Sequence, residues 1–417
     1  MPCADKPMDS FVQVVQTGEI AVSIKNSLLP MIAATSVAMA SAQAQTTPPP
    51  APPTDTKPAE PAAPAPPPPI FSIWGFDLTG HVDVGYSYLS GSGKFVSGVN
   101  DRVFDYKHDT AYFHALDLTF TNTPDNGWGG LVDITIGKDA DAIAAYGTIS
   151  KSKGPANGAN HYVDPTQFFV YYGAAPFSII AGKYVTNAGA EVIKSDGDTN
   201  YTRSILFGYA IPFTHTGVRA TYKVNDALTV LGGVNEGWDA FESPSHDATV
   251  ELGGTFAPTK TISFAASYYG GKELVTNYPK STAKGTRNLF DIVGTFNATD
   301  ALTFILNYDY GDQEQASASG GKAKWQGIAG YANYQINDQW RLSLRGEYFD
   351  DKDGYRTGVA QKWKEATLTV AWLPTKEWEI RGEVRFDKSD QSAFLKSDGV
   401  TPTNDQHSVG VEVLYKF

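Results

Sequence analysis

Charged residues recur at every second position in several stretches of the chain. In 377–386, EWEIRGEVRF, the charges of Glu379, Arg381, Glu383 and Arg385 alternate with smaller or apolar residues. Side chains two positions apart lie on the same face of an extended strand. Each such row could bind ions or polar solutes, or it could form ion pairs with neighbouring strands. Both interpretations remain open for every one of these charges.

The residues required for catalysis do not occur in recognisable patterns. A hydrolase needs a Ser, a His and an orienting group that converge, and the seven His residues show no such spacing with a Ser. The sequence contains no HExxH motif and no phosphate-binding loop. The single cysteine, Cys3, excludes an internal disulfide framework and a Cys-based metal cage. We therefore expect neither an enzyme nor a cofactor or metal site.

The formal net charge of −12 argues against a general basic field that would hold nucleic acid. Near the N-terminus, Lys25 precedes the short apolar stretch SLLPMIAATSVAMASA at 27–42. A cation, an apolar run and a small-x-small site are the parts of a secretory signal peptide. We predict an N-terminal extension and signal peptide over 1–44, cleaved after Ala44. Acidic residues before Lys25 suggest that translation starts near residue 22–25.

A proline-rich segment follows, since 12 of the 25 prolines lie in 46–69. Such a composition favours extended polyproline II and buries little surface. We predict a periplasmic linker over 45–70. It could contact the cell wall or act as a plain tether.

From residue 71 onward the hydrophobicity alternates with period two, which indicates β-strands. Sixteen segments show this pattern: 76–88, 112–122, 127–138, 165–175, 177–186, 213–224, 228–238, 247–257, 261–271, 286–297, 302–312, 324–336, 340–348, 362–373, 377–386 and 407–417. Short connections such as Asn225-Asp226 alternate with long ones such as 187–212. This alternation predicts an all-β fold, a transmembrane antiparallel up-and-down β-barrel of about 16 strands over 71–417.

The distribution of aromatic residues favours a membrane barrel over a soluble sandwich. Aromatic residues lie at both ends of the apolar face, near the tight turns (Trp128, Tyr222, Trp340, Trp372) and near the long loops (Tyr86, Tyr88, Tyr112, Phe386). Two aromatic belts around an aliphatic band mark the two interfaces of a bilayer. A sheet in lipid must close, and sixteen strands enclose more space than side chains fill. The sequence therefore predicts an aqueous channel in a bacterial outer membrane.

Residues 181–222, followed by GGVNEGWD at 232–239, resemble the OmpL-like β-barrel porin family of bacterial outer membranes. The elements Gly182-Lys183, Ala188-Gly189-Ala190-Glu191, Tyr201-Thr202-Arg203-Ser204 and Pro212 to Arg219 carry the likeness. The resemblance implies passive transport across the outer membrane. Partners would be outer-membrane lipid and small hydrophilic solutes or ions, and the chain could form a homo-oligomer.

The alternation also predicts which charged residues face the lumen. Eleven are acidic: Asp77, Asp83, Asp117, Asp133, Glu251, Asp291, Asp309, Glu347, Glu365, Glu379 and Glu383. Six are basic: Arg219, Lys223, Arg341, Arg345, Arg381 and Arg385. Because acidic linings favour cations, this excess predicts a weak cation preference.

The connection 187–212 is longer than an ordinary loop and contains the apolar stretch SILFGYAIPF at 204–213. Folding into the barrel mouth would give that stretch something to pack against, and an external lid is the alternative. The predicted constriction consists of Lys183, Glu191, Lys194, Asp196, Asp198, Arg203 and Arg219. Clustering of its basic residues would favour anions instead. The main functional alternative is a closed structural or adhesive barrel without channel activity.

Overall fold

The computed structural model describes residues 69–149, 162–275 and 283–417. The predicted signal peptide and nearly all of the predicted linker lie outside these residues. Sixteen long antiparallel strands form the main sheet and confirm the predicted fold class. They are β2 (Phe76–Leu89), β4 (Thr110–Asn122), β5 (Asn126–Ile136), β6 (Val163–Ala174), β7 (Phe177–Val185), β8 (Thr214–Lys223), β9 (Leu228–Asn235), β10 (Thr249–Phe256), β11 (Ile262–Leu274), β12 (Lys284–Asn297), β13 (Leu302–Gln313), β14 (Ala323–Asn337), β15 (Trp340–Asp351), β16 (Gln361–Trp372), β17 (Trp378–Ser389) and β20 (Asp405–Lys416).

The sheet closes into a barrel because its first and last long strands pair. In β2 and β20, Val82 lies opposite Tyr415 and Tyr86 lies opposite Val411. Closure leaves no unpaired edge among the long strands, as a sheet in hydrocarbon requires. One additional short strand, β1 (Phe71–Ile73), folds back on the start of β2. The remaining short strands, β3 (Gly91–Phe95), β18 (Phe394–Lys396) and β19 (Pro402–Thr403), form a small sheet within the long loops.

Side-chain hydrogen bonds close several of the tight turns. Backbone N–H groups of Ala227 and Leu228 each donate to Asn225 Oδ1 at 2.9 Å. The hydroxyl of Thr299 accepts equivalent bonds from Ala301 and Leu302. Such local bonds stabilise a two- to four-residue connection between antiparallel strands. They leave the opposite end of the barrel to the long loops.

Apolar residues point out of the barrel and polar residues point in. In β16, Leu368, Val370 and Trp372 are exposed, whereas the alternating Glu365 and Thr367 are buried. A soluble protein would show the opposite arrangement, since its apolar face forms the core. The outer surface is therefore suited to lipid contact.

Aromatic side chains lie at both ends of this apolar surface. Near the tight turns, Trp128 is exposed and the indoles of Trp340 and Trp372 stack with centroids 6.3 Å apart. Tyr112 was wrongly expected in the belt at the long-loop end. His114 is an extra residue in β4 where it pairs with β2, so the alternation reverses and Tyr112 turns inward while Phe113 is exposed. A one-residue bulge is enough to exchange the two faces.

Helical structure is short in the described residues. It consists of α1 (Asp139–Ile143), a 3-10 turn at Ser195–Gly197 and a π-helical turn at Leu206–Ala210. In the described part of the chain, every helix is too short or too polar to span a bilayer.

Candidate functional site: the barrel interior and its inserted loop

The connection 187–212 between β7 and β8 runs into the barrel and reaches the opposite wall. The hydroxyl of Ser195 donates to Asp83 of β2 at 2.6 Å, and that of Thr199 donates to Asn333 of β14 at 2.9 Å. The amide of Asn200 donates to Thr369 of β16 at 2.7 Å. We call residues 187–212 the inserted loop. Its position corresponds to the predicted insertion into the barrel mouth and not to an external lid.

Three arginines of the wall hold the inserted loop by its backbone carbonyls. Arg345 donates to the carbonyl of Thr202 at 2.5 Å, and Arg385 donates to that of Arg203 at 2.8 Å. Arg381 donates to the carbonyls of Ser195, Asp198 and Asn200. These arginines also contact carboxylates, as Arg381 does with Glu379 at 2.7 Å and Glu412 at 2.8 Å. Charge-assisted bonds of this kind are roughly twice as strong as neutral ones.

Two glutamates of the wall bind backbone N–H groups of the same loop. Glu383 accepts from the N–H groups of Tyr201 at 2.7 Å and Thr202 at 3.0 Å. Glu347 accepts from those of Ile205 at 2.8 Å and Leu206 at 3.1 Å. Both signs of wall charge therefore position the loop, and these groups are not left facing water.

Charged residues inside the loop pair with one another and with the wall. Glu191 binds Arg345 at 2.9 Å and accepts from the N–H of Ser204. Asp198 binds Arg203 at 3.0 Å. Burial raises the pKa of Asp198 to about 7, and the pKa of Arg203 is raised by Asp198 and other carboxylates against the effect of burial. The guanidinium of Arg203 also lies 4.9 Å from the ring centroid of Phe104.

Lys194 and Asp196 lie where the loop meets β2, β4 and β5. Lys194 Nζ is 2.5 Å from Asp117 Oδ1 and 3.0 Å from Asp133 Oδ1. Asp196 is 3.5 Å from the ring of His81. These contacts attach the loop to the part of the wall formed by β2, β4 and β5.

The other predicted constriction residues do not bind the loop's charged residues. Lys183 donates to Asp164 at 3.0 Å and to the carbonyl of Pro165, and it is fully buried. Arg219 binds Glu251 at 2.6 Å and lies 4.1 Å from the ring centroid of Tyr184. The predicted constriction set is therefore only partly brought together.

Lys223 lies at the tight-turn end of β8, where its side chain is 56% exposed and binds Asp226. The remaining predicted lining residues, Asp83, Asp117, Asp133, Arg341, Arg345, Glu347, Arg381, Glu383 and Arg385, lie on the inner face. Their role in a pore remains a prediction.

An apolar cluster fills the interior at the long-loop end. Phe207 and Tyr209 of the inserted loop pack with Phe95, Trp325 and Trp363. The ring centroid of Trp363 lies 5.2 Å from that of Phe95 and 5.6 Å from that of Tyr209. The indole N–H of Trp325 donates to the carbonyl of Ala210 at 2.9 Å. The apolar stretch 204–213 thus buries its side chains inside the barrel.

Along β13, β14 and β15 the filling of the interior decreases towards the tight turns. In β13, β14 and β15, inward-facing Asp309, Ala329 and Arg345 are buried, whereas Thr303 and Asn333, nearer the turns, are half-buried. We call the part bounded by the tight turns the vestibule, and the part filled by the inserted loop and the apolar cluster the packed end.

Several charged residues at the inner wall were missed in the sequence. Glu412, on the inward parity of β20, binds Arg381, and Asp387, two residues after Arg385, binds Arg102 at 2.7 Å. The period-two pattern could have identified both acids. Arg102 lies in the long loop before β4, where no pattern indicates its position.

Three residues could in principle hold a metal ion. One ligand atom each from Asp83, His114 and Asp139 lies within 4.8 Å of the others, and all three residues are buried. The imidazole of His114 is already hydrogen-bonded to Asp139 at 3.0 Å and to the hydroxyl of Tyr201 at 3.0 Å. We interpret the group as a hydrogen-bonded connection between wall and loop.

Similar folds occur among solved outer-membrane proteins. OmpT of Vibrio cholerae, described as an outer membrane protein in trimer form, matches with a TM-score of 0.55 and 11% identity over 82% of this chain and 99% of that chain. The outer membrane channel DcaP of Acinetobacter baumannii matches with a TM-score of 0.53 and 18% identity over 84% and 99%. An anion-selective porin from Comamonas acidovorans matches with a TM-score of 0.51 and 13% identity over 82% and 99%. At these identities the likeness shows the fold alone.

No curated protein gives a significant sequence match. The model of the family described as "Putative beta-barrel porin-2, OmpL-like" matches residues 75–417. The family and the porin-like fold support a location in the bacterial outer membrane. With most of its length matched in this way, the chain belongs to the OmpL-like family of β-barrel porins.

Proposed function

We propose that this protein is a passive, energy-independent channel for small hydrophilic solutes, with the inserted loop as its narrowest element. The observation that carries this proposal is the attachment of the loop inside the barrel by Arg345, Arg381, Glu347 and Glu383. A loop held at fixed positions inside a closed barrel can set the size limit for solutes. The family and the fold favour a channel over an enzyme.

Passage through this conformation is restricted at the packed end. Solutes from the vestibule would have to pass beside the inserted loop, whose contacts with the wall are non-covalent. We propose that small displacements of the loop, together with the mouth loop that contains Phe95 and Arg102, widen the path. Loop motions of this kind occur on nanosecond to microsecond timescales.

The exposed apolar surface between the aromatic belts would contact lipid, which places the long strands across the outer membrane. We also propose assembly into a homo-oligomer, since OmpT of V. cholerae, which has a similar fold, was solved in trimer form. Contact of the proline-rich linker with the cell wall remains a proposal from composition alone.

We revise the weak cation preference that the eleven acidic wall residues predicted. Most of these carboxylates are buried and paired, as Glu365 is with Arg345 at 2.9 Å. A permeating ion is influenced most by charges that water reaches, because buried pairs largely cancel at a distance. Selectivity should therefore follow the exposed charges and not the total count.

A closed structural or adhesive barrel is the second candidate. It is favoured by the apolar cluster, because Trp325 and Trp363 are almost fully buried at the packed end. Such a barrel would span the membrane without conducting.

Conductance of the purified protein in planar bilayers separates the two candidates. Stepwise currents, with swelling of proteoliposomes in small sugars, are expected for the channel. Consistent absence of current and of swelling would contradict the proposal and favour the closed barrel. Arg381→Ala, which weakens the attachment of the loop, should increase conductance if the loop limits the path.

A further inference from the structure

In the ion pairs that line the vestibule, the basic side chain is more exposed to water than the acidic one. Arg341 and Lys416 both bind Glu379, and their side chains are 15% and 17% exposed against 1% for the glutamate. In each case the cation lies between the carboxylate and the water.

Lys194 repeats this arrangement on the inserted loop. Its side chain is 11% exposed, whereas those of its partners Asp117 and Asp133 are 2% and 1% exposed. Lys194 faces two carboxylates, so its outward field is the weakest of the three. The three cations belong to the inserted loop, β15 and β20.

Among the described residues, fewer acidic groups reach water in the same region. Asp196 is 33% exposed and lies beside His81 and Lys194. Asp77 is half-buried near the tight-turn rim and accepts from the hydroxyl of Ser72. Acidic residues of the tight turns are outside the barrel interior, where salt screens them over about 8 Å at physiological ionic strength.

We infer that the vestibule of this barrel binds small anions, such as carboxylates and phosphates, through Lys194, Arg341 and Lys416. Coulomb energy falls with distance, so a solute that touches the exposed cation feels the carboxylate behind it less. The inference names the solute class of the proposed channel and rests on that function for transport, though not for binding. It reverses the cation preference that the excess of acidic wall residues predicted.

The strongest contribution comes from Arg341 and Lys416, because two exposed cations share Glu379. Arg381, buried beside them, adds a third positive charge to this glutamate and pairs with Glu412. Two carboxylates therefore face three cations in this group. An anion that enters from the tight-turn side would meet the two exposed members.

The transport test is the reversal potential of the full-length protein in planar bilayers under a KCl gradient at low salt. We expect Cl⁻ to permeate at least about twofold better than K⁺, with the ratio falling as salt screens the charges. The double variant Arg341→Gln/Lys416→Gln should lose most of this preference. Asp196→Asn should increase the preference for Cl⁻ over K⁺.

Two matched controls test whether position matters. Lys376→Gln removes the same charge from an exposed tight-turn residue outside the interior and should leave the ratio unchanged. Lys194→Arg keeps the charge on the loop and should retain the preference. A cation-selective parent protein, or an unchanged ratio in a conducting double variant, would overturn the inference.

Binding is tested separately by fluorescence anisotropy of pyranine, a trisulfonated dye, added to detergent-solubilised protein. Anisotropy should rise with the parent protein at low salt and should not rise with the double variant. If no variant conducts but the dye binds in this way, the channel function fails while the anion site stands. Equal binding to the parent and the double variant would refute the site.

Discussion

The two ends of the barrel interior are built from the same alternating strands but differ in what covers their inner face. At the packed end, Arg385 of β17 and Trp363 of β16 are buried against the inserted loop and the apolar cluster. At the vestibule, inner residues such as Thr303 and Asn333 are half-buried. Arg381 and Arg341 illustrate the contrast, since both bind Glu379 but only Arg341 reaches water.

This difference shows that a charge on the inner face of a barrel does not by itself identify a solute contact. Arg381 binds the carbonyl groups of the loop and is structural, whereas Arg341 presents its guanidinium to water. Strand alternation is identical in the two cases. Only the position of the loop distinguishes them.

The largest expected effect is an all-or-none difference in labelling between the two ends of the barrel, which shows the end that faces the outside of the cell. A single cysteine introduced as Ser319→Cys, at the long-loop end, should react with a membrane-impermeant maleimide on intact cells. Asp300→Cys, in a tight turn, should react only after the outer membrane is permeabilised. The reverse labelling would place the packed end on the periplasmic side.

Arg381→Ala should give the largest loss of stability. It removes the partner of Glu379 and Glu412 and the donor to three loop carbonyls. Breaking a buried pair costs about 3–5 kcal/mol, because the remaining charge is left uncompensated. Urea unfolding in detergent measures the loss of stability, and Arg341→Ala is the matching variant in the vestibule. Equal losses of unfolding free energy in the two variants would mean that the two ends do not differ in packing.

Trp363→Ala tests the apolar cluster against the vestibule. The Trp363 side chain is fully buried and its indole N–H donates to Asp387 at 3.0 Å. We expect a loss of about 3 kcal/mol in the free energy of unfolding. Leu231→Ala, at a half-buried inward position of β9, should cost about 1 kcal/mol. A comparable loss of unfolding free energy at both positions would contradict the difference in packing between the two ends.

The smallest expected effect is a pH dependence of the packed end. Burial raises the pKa of Asp198 to about 7 and that of Asp101 to about 6. The folded state then binds these protons more tightly than the unfolded chain, so the packed end gains stability as pH falls from about 7 to about 4. It loses this contribution as pH rises through the folded pKa values.

Conductance should therefore be lower at pH 5 than at pH 7.5. The double variant Asp198→Asn/Asp101→Asn should flatten the dependence. An unchanged pH profile in this variant would assign the effect to other groups.

Most of the fold was predictable from the sequence. The alternation in 362–373 and 377–386 predicts strands regardless of their neighbours, because period-two patterning is local. Tyr112 was misplaced because a bulge at His114 depends on pairing with β2 and leaves no mark in the alternation. The site was less predictable. Lys194 contacts Asp117 and Asp133, residues more than sixty positions away along the chain.

The sequence by itself determined the number of long strands, the order of turns and loops and, apart from the bulge at His114, which side chains face inward, since these follow from local alternation and turn chemistry. Only the tertiary structure decided which inward charges are buried and which reach water. That outcome depends on the path of residues 187–212 across the barrel, through contacts such as those of Arg381 with Ser195 and Asp198. Long-range electrostatic pairing of this kind is a property of the closed barrel and has no local signature along the chain.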